Sequence, residues 1–370
     1  MRVLLAGWHY RCGYLFPGAI GLTGIGLRMS DFIRIDLETL ITQVAGLLQS
    51  IGVPSSIARV EAEIMTESDL MGVPSHGIHM LPALVTGIQS GKATANPHIR
   101  ILKEQKAACV IDGDNGPGRF VSLHAMNISV ERAKEFGIGA CLATNMTHWG
   151  RAFAYVCRAA QAGTVGICTT NAIPNTLSGN STKPLLGNNP LGIGIPRPGG
   201  NPVVLDIAMS QAAHGKIATY AREEKEVPLG WGLDSEGRST TDPNKILRSH
   251  RLLPFGGHKG AGLAIMMELL TGAFAGSKLS HEILQIERGA LNPGTTKLFL
   301  ALEVSAFSSL EALGTKIEQY ALWLRETDPD IQITLPGDRS WQARLENLKN
   351  GIPIHVHMIN ELKKIGLTFS

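Results

Sequence analysis

From Asp36 onward the apolar residues Leu37, Leu40, Ile41, Val44, Leu47 and Leu48 recur at the spacing of one helix face, with Asp36 placed to cap the first turn and Gly52 to end the run. A second helix is predicted after a Ser55 or Ser56 cap, with Ile57, Val60, Ile64 and Met65 along one face and Gly72-Val73-Pro74 as its stop. A third runs through Leu81, Leu84, Val85 and Ile88 to Gly91. In the middle of the chain the period shortens. Apolar runs rich in β-branched residues at 109–111, 138–143, 164–168, 191–195 and 203–205 alternate with helical patterns near 121–136 and 151–162, which predicts an α/β sheet region. An apolar helix over 259–275, a strand at 298–302, an amphipathic helix near 309–325 and two short helical segments complete the pattern.

No repeat or low-complexity linker divides the chain. The expected organisation is a helical part at 29–105 packed with 300–370, and an α/β cofactor- and substrate-binding region at 106–299. Residues 1–28 read as an extension of unknown role, with Arg2, Arg11 and Arg28 and no acid, and the folded part beginning near Met29. An organelle-targeting leader is the alternative. Gly24-Ile25-Gly26 in this stretch lacks the preceding strand and the third glycine of a dinucleotide fingerprint.

With 370 residues, 44% of them hydrophobic and 18% charged, the chain can bury a large core. Its formal charge of +3 is spread among interleaved acids and bases, so nucleic acid is not an expected partner. No run reaches the roughly 18–20 apolar residues of a membrane span. Cys12, Cys109, Cys141, Cys157 and Cys168 form no Cys-x-x-Cys pair and read as reduced, buried thiols, which suits a cytoplasmic protein.

Ser75-His76 stands between a helix stop and a helix start. Carbonyl reduction by hydride needs a proton donor near neutral pKa, and the positive end of a helix dipole would lower a histidine there while the serine orients or relays the proton. The plain alternative is a capping serine beside a surface histidine. His148, in Met146-Thr147-His148-Trp149-Gly150-Arg151, follows a predicted strand at the end where α/β sheets place ligands. The turn 184–190 can bring backbone close to a ring or carboxylate, and Gly256-Gly257-His258-Lys259-Gly260 opens a helix with exposed N–H groups and a lysine, a place for phosphate. No Walker sequence, no nucleophile elbow and no His-Glu-x-x-His occurs, so neither an acyl-transfer serine nor a metal site is expected.

Ser75-His76-Gly77, His148-Trp149-Gly150-Arg151, Gly187-Asn188-Asn189-Pro190, Leu205-Asp206-Ile207-Ala208, His258-Lys259-Gly260 and Leu335-Pro336-Gly337-Asp338 follow one another in a familiar order and rough spacing. Over about residues 30 to 370 the chain resembles the malate/L-lactate (L-sulfolactate) dehydrogenase family of NAD(P)-dependent oxidoreductases that lack a Rossmann fold. The resemblance implies a mixed sheet flanked by helices plus a helical N-terminal part, a homodimer, and a cofactor lying in an extended groove. It makes His76 and His148 the candidate proton donors and gives Ser75 a relaying role. It places Asp206, Ile207, Ala208, Lys259, Gly337, Asp338 and Arg339 on the cofactor, with Asp206 also considered for acid–base work. Asp338 suits a ribose hydroxyl and so NAD, which is slightly preferred, whereas Arg339 suits the 2′-phosphate of NADP.

Many members carry arginine where this chain has Met80 and tyrosine where it has Leu84, which suggests a more apolar pocket and leaves Arg151 or His79 to hold the carboxylate. Ser-His-Gly-Ile-x-Met with His-x-Gly-Arg looks most like the branch called hydroxycarboxylate dehydrogenase B, which handles bulky 2-oxo acids. Met80, Arg151 and Asn189 are thus the expected substrate contacts of a 2-hydroxy acid dehydrogenase. The alternatives are a cyclic-imine reductase of the same class and, from other classes, a metal-dependent hydrolase or a non-catalytic dinucleotide-binding protein.

Overall fold

The computed structural model describes residues 31–222, 224–283, 294–327 and 333–369; the extension expected at 1–28 lies outside them. The first helix spans Leu37–Ser50, capped by Asp36, whose Oδ2 accepts from the Thr39 N–H at 3.0 Å. The second, Ser55–Leu70, starts without a side-chain cap because Pro54 takes the capping position, so neither Ser55 nor Ser56 serves as predicted. With Leu81–Gln89 these helices enclose a core of Leu40, Val44, Leu48, Ile57, Met65 and Leu81. The chain's end returns to the same core through Ile352, Ile354, Ile359 and Leu362, and Ile352–His355 pairs antiparallel with Phe32–Ile35. Strands of four residues carry too little alternation to be read, and this pair had no counterpart in the sequence pattern.

Seven strands form the main sheet, in the order Arg100–Gln105, Ala108–Gly116, Ile138–Met146, Lys297–Glu303, Thr164–Thr170, Leu191–Ile195 and Val203–Ile207. Only Ala108–Gly116 and Ile138–Met146 run parallel; every other neighbour is antiparallel. The mixed sheet is flanked by Gly118–Phe136 and Phe153–Gln161, as expected for an α/β region. Lys297–Glu303 enters its middle, so the sheet continues across residue 300. Beyond Ile207 a smaller lobe packs Ala212, Ile217, Val227, Trp231, Ile246 and Leu252 beneath a four-stranded sheet of very short strands. The apolar helix predicted at 259–275 is His258–Glu268 followed by a π turn over Leu269–Ala273, and Leu263, Met266, Leu270 and Phe274 on it remain exposed.

Lys297 is 1% exposed in the central strand, and among the described residues its Nζ donates to the carbonyl and hydroxyl of Thr295. Burial lowers its ammonium pKa from 10.5 to about 7. The unfolded chain therefore holds a proton between pH 7 and 10.5 that the native state has lost, and stability climbs with pH across that window. Lys297→Met is expected to stabilise the protein at pH 7 by about 2–4 kcal/mol and to flatten this climb, read from urea unfolding at pH 7 and pH 9.5. An unchanged midpoint at pH 7 would refute it.

Candidate active site

Past Leu70 the chain turns at Gly72, makes two short 3-10 turns, Pro74–His76 and Ile78–Met80, and only then starts the helix Leu81–Gln89. His76 consequently does not sit at the helix start that the sequence suggested. Its pKa is nevertheless lowered to about 4, chiefly by burial. Asp206 opposes that effect, while Arg151, Arg119 and His79 add to it. Ser75 Oγ lies 3.0 Å from His76 Nδ1, and the helix His214–Arg222 backs onto this serine so closely that a Cβ on Gly215 would stand 2.6 Å from the Ser75 Cβ. The turn is anchored from behind by Asp69, whose Oδ2 accepts the Ile78 N–H at 2.7 Å. Gly77 passes over this carboxylate with no room for a side chain: a Cβ would lie 2.0 Å from Oδ2. Burial pushes the Asp69 carboxyl up to about 8.

His148 follows the strand Ile138–Met146, and its ring centroid lies 6.1 Å from that of His76. The Gly150 N–H donates to its Nδ1 at 3.0 Å, so Nδ1 carries no proton and the neutral ring keeps its hydrogen on Nε2. Burial lowers its pKa well below 6.5, assisted by His76, Arg119 and Lys297. Arg151 Nε donates to Asp206 Oδ2 at 2.7 Å, and the Phe153 N–H adds a second bond at 3.3 Å. One Arg151 nitrogen, Nη1, is buried without a hydrogen-bond partner among the described residues.

Asp206, Ile207 and Ala208 come from the edge strand Val203–Ile207 and the residue after it, all partly exposed. Two other predicted stretches converge on this edge. The Val204 N–H donates to Pro336 O at 2.9 Å, bringing up Gly337, Asp338 and Arg339, and the Phe255 N–H donates to Met209 O at 3.1 Å, bringing up Lys259. Asp338 uses Oδ2 to accept the Leu335 N–H, while Arg339 and Lys259 are exposed. A cleft of about 630 Å³ opens at the start of His258–Glu268, next to Lys259 in sequence, lined in part by Gln211, Pro254, Gly256, Gly257, His258 and Ala261. Gly257 has a φ of +62° and open space where a Cβ would project, so a ligand can lie directly on the backbone at the start of His258–Glu268.

Met80 is half-buried, but Leu84 is enclosed in the helical core, which corrects the reading of it as part of an apolar pocket. Asn189 is 0% exposed, and its Nδ2 donates to Ala264 O at 2.8 Å and Glu268 Oε2 at 3.0 Å. Its amide nitrogen ties the 184–190 turn to that helix. Sequence reasoning missed Glu61, Asp69 and Arg119. The readable sign was Glu61, an acid at the i+4 position from Ile57 on a stripe that continues to Ile64 and Met65.

The comparisons with known proteins agree with this architecture. A profile of the malate/L-lactate dehydrogenase family matches residues 35–363. A malate dehydrogenase of Pyrococcus horikoshii is 32% identical over 346 residues, covering 91% of this chain and 95% of its own. Hydroxycarboxylate dehydrogenase B of Escherichia coli K12 is 32% identical over 328 residues, 87% of this chain and 90% of its own. The solved structure of sulfolactate dehydrogenase from Methanocaldococcus jannaschii superposes with a TM-score of 0.82 at 30% identity, covering 90% of this chain and 96% of that one. With its matched sequence, its mixed seven-stranded sheet and its paired histidines, this chain belongs to the malate/L-lactate dehydrogenase family.

Proposed function

We propose that the chain is an NAD(P)-dependent 2-hydroxy acid dehydrogenase, working equally as a 2-oxo acid reductase. The observation that carries this reading is a pair of neutral imidazoles 6.1 Å apart beside an arginine with a buried, unpartnered Nη1. An unpaired guanidinium nitrogen is the kind of donor that suits a carboxylate oxygen.

A bound nicotinamide would supply the hydride acceptor or donor. Asp206, Ile207, Ala208, Lys259, Gly337, Asp338 and Arg339 would hold the cofactor along the sheet edge, with the backbone of Gly257 open to its phosphates. NAD is preferred because Asp338 can receive a ribose hydroxyl, and Arg339 at the same turn makes NADP the competing choice.

The two histidines divide the proton work. His148 accepts from Gly150 at Nδ1 and so serves as a fixed neutral donor from Nε2, polarising the substrate oxygen. His76 has Nδ1 on Ser75 and Nε2 available, and exchanges the oxygen's proton. Arg151 receives the substrate carboxylate. That pairing cancels the Arg151 charge that disfavours imidazolium and leaves Asp206 to favour it, so a histidine held neutral by its surroundings can take up the proton once substrate arrives. Met80 favours an apolar substrate chain. The exposed stripe Leu263, Met266, Leu270 and Phe274 is the proposed homodimer face.

The test is oxidation of NADH and NADPH followed by absorbance, with pyruvate, oxaloacetate, phenylpyruvate and a cyclic imine as acceptors and light scattering for mass. Turnover of an oxo acid by a dimer is expected. Turnover of the imine alone would replace the substrate class, no oxidation of either nucleotide would end the reading, and a monomer would remove the proposed interface.

A further inference from the structure

Arg119, the second residue of the helix Gly118–Phe136, lies behind both histidines and is 2% exposed. Its Nη1 donates to Glu61 Oε2 at 3.3 Å, and Glu61, itself 0% exposed, also accepts the Phe120 N–H at 2.9 Å, so the guanidinium is held from one side. On the other side Nη2 donates to the carbonyl oxygen of His76 at 3.4 Å. Nε faces the turn after His148: a Cβ on Gly150 would stand 3.1 Å from it, and this Nε has no hydrogen-bond partner among the described residues. The helix start is fixed to the same turn, since the Gly118 N–H donates to Thr147 Oγ1 at 2.7 Å. One buried cation therefore touches both segments that carry an imidazole.

We propose that Arg119 is a positioning residue for the reaction: locked on Glu61, it joins the His76 turn to the Gly150 turn and supplies the fixed positive charge that both rings face. The proposal rests on the dehydrogenase reading for its consequence in catalysis, but its electrostatic part does not. The charged and titratable groups around His76 are Asp206, Arg151, Arg119, His79 and His148; around His148 they are His76, Arg119 and Lys297, with Glu61 and Asp69 behind Arg119. Among the described residues Arg119 is a leading influence on both rings, and in each case it acts against the imidazolium.

The experiment is an NMR titration of the full chain labelled with ¹³Cε1 histidine, the two resonances being assigned by their loss in His76→Gln and His148→Gln. In Arg119→Met both midpoints are expected to rise by about one pH unit, and in Arg119→Lys, which keeps the charge, to stay near the wild type. The double variant Glu61→Gln with Arg119→Met leaves no buried charge unpaired, so it covers the case where the single variant does not fold, and it should raise both midpoints as well. Midpoints unchanged on loss of the guanidinium, or shifted equally by Lys and Met, overturn the proposal and leave Arg119 a purely structural residue. The acid limb of kcat/KM should move with the midpoints. Midpoints that move as expected in a protein that oxidises no 2-hydroxy acid would refute the dehydrogenase reading alone.

Discussion

His76→Gln is expected to lower turnover of a 2-hydroxy acid by about 10²–10⁴-fold and to erase the acid limb of its pH profile. On the proposed mechanism oxidation requires the neutral ring, and kcat/KM reports the free enzyme. With the His76 pKa lowered to about 4, kcat/KM should stay high down to about pH 5 and fall as the pH drops through 4. His148→Gln is expected to cost about 10²-fold yet keep that limb, because an amide replaces a hydrogen-bond donor but not a titrating base. The contrast follows from a single contact, the Gly150 N–H on His148 Nδ1, which a protonated ring could not accept. Stopped-flow or steady-state rates from pH 4 to 9 decide it. Near-normal turnover in either variant would remove that residue from the mechanism, and an acid limb lost with His148 would exchange the two roles.

Arg151→Met should reduce kcat/KM by about 10²–10³-fold, with most of the loss in KM, because a carboxylate grip acts on ground state and transition state alike. The same substitution strips Asp206 of an ion pair in which both side chains are almost wholly enclosed. Asp206 raises the His76 pKa and Arg151 lowers it, so the acid limb should also move toward higher pH. Arg151→Lys retains the charge without the planar fork and should fall between the two. A KM unaffected by Arg151→Met would show that the substrate carboxylate is held elsewhere.

Much of this molecule can be read from spacing. The helix from Leu37, the strand at 191–195 and the position of His148 just beyond a strand end follow from period and caps, which are local properties. Both imidazoles and Arg151 came forward as candidates because motif order survives in one dimension. Asn189 and Leu84 show the limit of such reading: a motif position does not reveal whether a side chain faces a cleft or a core, and these two face the core. Spacing alone also cannot place Lys297 between strands that precede it by more than a hundred residues, since strand order depends on which surfaces bury best against each other.

The sequence by itself determined the helical front, the α/β middle and the residue types able to exchange a proton. Only the tertiary structure decided why His76 is neutral, through burial instead of a helix dipole, and that Glu61 and Arg119 meet beneath both histidines. Burial and charge pairing depend on which distant segments share a volume from which water is excluded, and no local pattern encodes that.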